Sequence, residues 1–312
     1  MEIDVIIPLY KPGKELFTLL DKLGSQSVPV HQVILLNTEE KYFDQLIYGI
    51  RFLEIYQNIK VYHVSKREFD HGGTRRMGVK KSSADVFVMM TQDAMPKDDR
   101  LIEKLVEPLQ GEVAVAYARQ LPREDSTPVE SYTREFNYPA KSRIKSAADL
   151  DSLGIKTFFC SNVCAAYRRE IYEELGGFVR HTIFNEDMIY AAKAVEAGYS
   201  VAYAADAQVV HSHNYTNGQQ FHRNFDLGVS QAEHPEIFAA YPSESEGKRM
   251  VKDVTVYLRS NHMAAGLPHF YMQCACKYAG YLLGKNYRRL PKKWVLAFTS
   301  NKEYWKQNRK DV

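Results

Sequence analysis

VIIPLYKPGKELFTLLDKLGSQSVPVHQVILLN, residues 5–37, decides the fold class. The apolar run VIIPL (5–9) has the length of a buried strand, Leu16, Leu19, Leu20 and Leu23 recur at helical spacing, and VILLN (33–37) is a second short apolar run. A helix crossing between two strands makes those strands parallel neighbours. The pattern then repeats. A helical period runs through Phe43, Leu46, Ile47, Ile50 and Leu53, followed by strand KVYHV (60–64), a short helix near 74–83 and strand VFVMM (86–90), and then by a helix over 98–109 and strand VAVAY (113–117). This predicts an α/β fold with a mostly parallel sheet flanked by helices. Ligands of such sheets bind beyond the carboxyl ends of the strands. That singles out Tyr10-Lys11, Asn37-Thr38, the loop from Arg67 to Arg76, and Thr91-Gln92-Asp93.

After residue 120 the alternation stops. Residues 121–160 are polar and contain prolines, and RREIYEELGGF (168–178) reads as a helix stopped by Gly176 and Gly177. Asn185-Glu186-Asp187 opens a helix to about Gly198, and VAYAADAQVVHSH (201–213) reads as a strand. Beyond 217 helices are punctuated by Pro235, Pro242, Pro268 and Pro291. The predicted organisation is a domain over 1–215, in halves 1–120 and 121–215, and a helical C-terminal extension over 216–312.

With 45% hydrophobic and 25% charged residues in 312, the chain has the composition of a globular protein, and 21 tyrosines exceed what packing asks for. Met1 leads directly into the first strand without a signal-peptide pattern, so a cytoplasmic location is expected. The most apolar stretch, around 264–284, contains Pro268, His269, Gln273 and Lys277 and is not expected to span a bilayer. Cysteines at 160, 164, 274 and 276 match no zinc framework and are expected as small buried hydrophobes. From Lys285 onward nine basic residues stand against Glu303 and Asp311, a net +7 that leaves −4 on residues 1–284. Such a tail suits an anionic membrane surface or nucleic acid, or is a solvated face.

Four groups carry chemistry. Asp93, at a strand tip before Ala94-Met95-Pro96, suits a hard divalent cation on a diphosphate, or caps the following helix. In FDHGGTRR (69–76) paired glycines at a helix start and two arginines suit phosphate, or form a tight turn with surface arginines; the spacing is neither a Walker loop nor a dinucleotide fingerprint, and its place on the crevice edge favours the diphosphate. Glu186-Asp187 offers a general base, or a helix-start cap. His211 or His213, at the end of a strand, can add an imidazole ligand to the metal.

In this order, VIIPLYK, FDHGGTRR, TQDAMP (91–96), LGGF (175–178), NED (185–187) and VVHSH (209–213) resemble family 2 glycosyltransferases of the GT-A fold, and among them bacterial rhamnosyltransferases, over about residues 3–215. The resemblance implies an inverting transferase that uses a divalent cation, manganese or magnesium, and a nucleotide-diphosphate sugar. It implies that Pro8 and Tyr10 flank the nucleotide and that Asp70, His71, Gly72, Gly73 and Arg75 contact the diphosphate. Thr38 and Gln92, at neighbouring strand tips, complete the expected donor site. Asp93 matches the metal-binding aspartate, and Met95 stands where a full DxD has its second one, which favours a histidine ligand. Asp187 matches the catalytic base. Ser161, Asn162 and Glu186 are expected on the acceptor side. The implied donor is dTDP-rhamnose. The acceptor is a glycan or lipid-linked glycan of a growing cell-surface polysaccharide, with peripheral membrane contact through the basic tail and no nucleic acid.

Two other readings use the same residues. A nucleotidyltransferase or nucleotide-sugar pyrophosphorylase also places a metal at a diphosphate in an α/β fold, but the basic glycine-rich signature expected after its first strand is missing. A non-catalytic carbohydrate-binding scaffold has no need of Asp93 and Asp187 on one sheet edge.

Overall fold

The structure is a computed structural model and describes residues 1–242 and 244–307. The chain packs as two compact units. The first comprises Met1–Leu121, Pro139–Thr182 and Glu186–His211, and the second Pro122–Tyr138, Ile183–Asn185 and the chain from Ser212 onward. The expected boundary after residue 215 thus falls after His211. The polar 122–138 stretch joins the helical unit because its helix, Pro128–Asn137, presents Val129 and Tyr132 to a core around Val254, Leu258 and Phe270.

The first unit is built on strands β1 (Ile3–Tyr10), β2 (Gln32–Thr38), β3 (Ile59–Val64), β4 (Val86–Met90), β5 (Met95–Pro96), β6 (Val113–Leu121), β7 (Arg143–Lys145), β8 (Cys164–Arg168) and β9 (Ser200–Val210). They form one sheet in the order β3-β2-β1-β4-β8-β6-β9-β5, with β7 on β9. The half from β3 to β4 is parallel throughout. Beyond β4 the sheet is mixed, since β8 runs antiparallel to both β4 and β6 while β9 runs parallel to β6. The sequence hides β8: CAAYR is short and, with its first four residues buried, has no alternation to read.

Helix Glu15–Gly24 buries Leu16, Leu19, Leu20 and Leu23, the four residues that announced it. They join Ile3, Val5, Ile7, Val33 and Leu35 in one core, where each fully buried aliphatic side chain contributes about 1.5–3 kcal/mol. The single period read through 43–53 resolves into two helices, Glu40–Ile47 and Phe52–Ile55, with Gly49 at φ 75° between them. The helix expected near 74–83 spans His71–Lys81, because Asp70 caps it three residues earlier. The one expected over 98–109 is shorter, Leu101–Val106.

In the second unit the helices Asn217–Glu233 and Leu267–Lys285 lie backbone to backbone. A Cβ on Gly280 would come within 2.2 Å of the Phe221 carbonyl oxygen and one on Gly284 within 2.0 Å of that of Phe225. Glycine is obligatory at such distances. No described helix is long and apolar enough to cross a membrane. Tyr271, Tyr278 and Leu282 of the second helix are exposed, whereas Tyr281 is buried with its hydroxyl on Gln231 and Glu244, and Leu283 packs against the cluster around Phe225. Arg288, Arg289, Lys292 and Lys293 are exposed. Arg309, Lys310 and Asp311 of the basic tail lie outside the described residues.

Candidate active site

The carboxyl ends of β1, β2 and β4 lie side by side, and a side chain extends their ladder. The Tyr10 backbone N–H donates to Gln92 Oε1 at 2.9 Å, and Gln92 Nε2 donates to the Tyr10 carbonyl at 3.1 Å. This pair fixes the chain where Tyr10 turns its ring outward, 40% exposed. The ring meets Tyr42 edge-on at 5.8 Å, and the Lys11 and Lys66 ammonium groups stand 5.5 and 5.8 Å from its centre. An aromatic surface flanked by lysines offers stacking and charge to a nucleotide. Tyr42 and Lys66 were not legible beforehand, because they come from a helix start and a loop with no motif. Pro8 is half-buried within β1, and Thr38 ends β2, buried, with its Oγ1 lacking a hydrogen-bond partner.

The 70–76 loop works differently from a free phosphate cradle. Asp70 Oδ1 accepts the Gly73 N–H at 2.7 Å and caps the helix, Oδ2 lies 3.2 Å from the Thr182 nitrogen as acceptor of its N–H, and His181 Nδ1 stands 2.7 Å from the same oxygen. A Cβ on Gly72 would come within 2.2 Å of the Val179 carbonyl oxygen. Asp70 and the glycines therefore let this helix start dock against the 179–182 segment. The arginines face the same way. Arg76 donates to the Gly176 and Phe178 carbonyls, and Arg75, buried, donates from Nη1 to the His71 carbonyl and places Nε 3.1 Å from Glu186 Oε1.

That ion pair leads to the carboxylate pair. Glu186 and Asp187 open helix Glu186–Glu196, whose N-terminal dipole favours negative charge. Burial pushes Glu186 up, but Arg75, His71 and the Asn162 amide at 3.0 Å together hold it below the usual glutamate range. Asp187 is in the opposite state. Burial and the neighbouring Glu186 charge raise it to about 7, against the backbone N–H groups of Asn162 and Met188, which donate to its two oxygens at 2.9 and 2.8 Å. Two adjacent carboxylates with separated pKa values are a recurring arrangement for acid–base chemistry. Asn162 couples them: its backbone serves Asp187, its amide serves Glu186, and its Oδ1 accepts from the Tyr167 hydroxyl at 2.8 Å.

At the tip of β4, Asp93 is 40% exposed and its Oδ1 lies 3.5 Å from His211 Nε2. His211 is buried and its other nitrogen, Nδ1, lies 3.0 Å from Gln120 Oε1. Gln120, on β6, donates from Nε2 to Ser161 Oγ at 3.0 Å, which turns its oxygen to the imidazole and makes Nδ1 the protonated nitrogen. The Nε2 lone pair then faces the Asp93 carboxylate. A hard oxygen and an imidazole nitrogen at this separation fit a shared divalent cation with ligands roughly 2.1 Å away. His213 follows two residues later, in the second unit. Gln120 was missed, as nothing in VAVAYARQL marks one polar residue as an imidazole partner. So was Lys145, whose buried ammonium donates to the Lys156 and Phe159 carbonyls and anchors the chain just before Ser161. Cys160 and Cys164 are buried and their thiols are pushed up to about 12, as expected of packing residues.

The sheet is GT-A-like, with a carboxylate–imidazole pair at a strand tip and a pair of adjacent carboxylates at a helix start. The chain belongs to Glycosyl transferase family 2, whose family model matches residues 4–176. It is 40% identical over 311 residues to the O-antigen chain rhamnosyltransferase RfbN of Salmonella typhimurium, covering 98% of this chain and 96% of that protein. To the O-antigen chain rhamnosyltransferase WbaN of Salmonella anatum it is 41% identical over 245 residues, 78% of each chain. The fold is shared with the mannosyltransferase PcManGT from Pyrobaculum calidifontis in complex with GDP-Man and Mn2+, with a TM-score of 0.61 and 15% identity over 91% of this chain and 87% of that one.

Proposed function

We propose that the protein is an inverting rhamnosyltransferase that moves rhamnose from dTDP-rhamnose to a hydroxyl of a growing cell-surface glycan, free or lipid-linked, at the cytoplasmic side of the membrane. The observation that carries the reading is Asp187, a carboxylate raised to about 7 and oriented by two backbone N–H groups, as a general base working near neutral pH requires.

Asp187 accepts the proton of the attacking hydroxyl, and Glu186, held ionised by Arg75, keeps the base from losing its proton affinity as it would beside a cation. Ser161 and Asn162 border the acceptor. Tyr10, with Pro8 and Thr38 beside it, receives the nucleotide, and Gln92 holds Tyr10 in place. His71 and the N-terminal end of the helix that Asp70 caps serve the diphosphate, while Gly72, Gly73 and Arg75 act indirectly, by holding that helix start on the 179–182 segment and on Glu186. Asp93 with His211, or His213, holds manganese or magnesium. When bound, the cation supplies positive charge to the leaving diphosphate. Attack on the sugar face opposite that group inverts the anomeric centre.

The test incubates the purified chain with dTDP-rhamnose and other nucleotide sugars, with manganese, magnesium or chelator. Release of nucleoside diphosphate from dTDP-rhamnose, abolished by chelator and by Asp93→Ala, is expected. Pyrophosphate as the product would replace the reading with a pyrophosphorylase, and glycan binding unaffected by Asp93→Ala and Asp187→Asn without turnover would replace it with a scaffold.

A further inference from the structure

Outside the transfer chemistry, the helical unit contains a cavity of about 400 Å³ among the helices Pro128–Asn137, Asn217–Glu233 and Leu267–Lys285. That is within the range of ligand pockets, roughly 300–1,000 Å³. Its polar lining is incomplete. Gln220, only 9% exposed, stands in its wall. Asn217 Oδ1 is buried and unsatisfied. Lys277 makes no hydrogen bond or ion pair to any described residue, and burial holds its ammonium below the ordinary lysine range. The adjacent carboxylate, Glu130, is engaged by Arg134 at 2.7 Å. A buried acceptor left this way, as Asn217 Oδ1 is, costs about 1–3 kcal/mol unless something completes it.

We propose that this cavity is a carbohydrate subsite of the helical unit that takes a pyranose ring of the acceptor glycan. The donor and acceptor balance selects a sugar. Asn217 presents a buried oxygen that needs a donor, the amides of Gln220 and Gln273 stand beside it in the lining, and Gln273 Nε2 already faces His269 at 3.2 Å. Sugar hydroxyls donate as well as accept and bring no charge, whereas a phosphate near neutral pH brings mostly acceptors. Lys277 then serves hydroxyl or ring oxygens. Tyr215, in the lining, is stacked on His213 at 4.9 Å and 28° with the Arg223 guanidinium 5.6 Å from its ring centre. The rim is fixed rather than loose: Asn214 Oδ1 accepts the Thr127 N–H at 3.1 Å and its Nδ2 donates to the Asp125 carbonyl at 2.8 Å.

The acceptor role rests on the transferase reading, and the experiment separates the two. Saturation-transfer NMR on the full chain uses a panel of methyl pyranosides of hexoses and 6-deoxyhexoses, alone and with inorganic phosphate. In parallel, manganese-dependent thermal shift with dTDP-rhamnose reports the donor site. At least one glycoside should bind. Gln220→Leu and the less buried Lys277→Met should each weaken it roughly tenfold, the scale of one lost hydrogen bond to a buried partner, with the donor shift retained. Unchanged glycoside binding in both variants, no binding to any glycoside, or displacement of the glycoside by phosphate overturns the subsite. Glycoside binding without any nucleotide-sugar binding overturns the transferase reading instead and leaves the pocket standing.

Discussion

His211 Nδ1 lies 3.0 Å from Gln120 Oε1, and this buried amide decides which imidazole nitrogen faces Asp93. Gln120→Leu removes the acceptor and frees the ring to take the other tautomer. Groups that orient a metal-binding histidine are typically worth about 10–100-fold in metal affinity or activity. The manganese concentration for half-maximal turnover should rise by that factor while saturating metal restores most of the rate. An unchanged metal requirement would remove His211 from the cation site.

As the proposed base, Asp187 should set a pH dependence. Below about 7 its carboxyl is protonated and cannot accept a proton, so the rate should fall tenfold per pH unit on the acid side. Asp187→Asn should abolish that limb and lower transfer by roughly two to four orders of magnitude. The stability sign is opposite to that of a salt-bridged aspartate. The unfolded chain ionises this group near the ordinary value and the folded chain near 7, so its contribution to stability falls as pH rises between them, and the Asn variant should flatten that slope in urea titrations.

Arg75 and Glu186 form an ion pair with side chains only 9% and 6% exposed. Arg75→Met leaves a buried carboxylate uncompensated, which costs about 3–5 kcal/mol. It also raises Glu186, whose low pKa depends on that guanidinium. Urea unfolding at pH 8 should show the loss, reduced at pH 5 as Glu186 protonates. Equal losses at both values would mean that the arginine acts through packing alone.

Gly72→Ala drives a methyl into the Val179 carbonyl, and Gly24→Ala meets nothing within 4 Å. The first should cost about 1–3 kcal/mol by overpacking, with donor affinity falling as the helix start shifts. The second should be neutral or slightly stabilising by thermal melt. A tolerated Gly72→Ala with full donor affinity would free this glycine from its packing role.

Tyr271, Tyr278 and Leu282, at 44%, 57% and 39% exposure, recur at helical spacing, and Arg288, Arg289, Lys292 and Lys293 follow them exposed. Each basic residue near an anionic leaflet contributes about 1 kcal/mol and is screened by salt. The protein should sediment with vesicles containing phosphatidylglycerol, be released by high salt, and lose the association when the four basic residues become glutamine. Equal recovery with neutral vesicles would make these residues a solvated face.

The order of strands β1 to β4, the helix from Glu15 and the strand-tip positions of Tyr10, Gln92 and Asp93 were legible because each depends on a local period and on its place after an apolar run. The place of Asp187 at a helix start was legible through the motif around it. The partners were not. Local sequence carries no information about which residue 91 positions away will meet a histidine, or which one 24 and 25 positions away will meet two carboxylates, so Gln120 behind His211 and Asn162 between Glu186 and Asp187 came only with the fold. So did the direction of β8, whose buried small residues have no period, and the turning of Arg75 and Arg76 from an expected phosphate toward Glu186 and the 176–178 carbonyls. The sequence by itself determined which residue types stand at the sheet edge. Tertiary packing decided their protonation and orientation, because burial, a neighbouring charge and a backbone N–H act through distance in space and not along the chain.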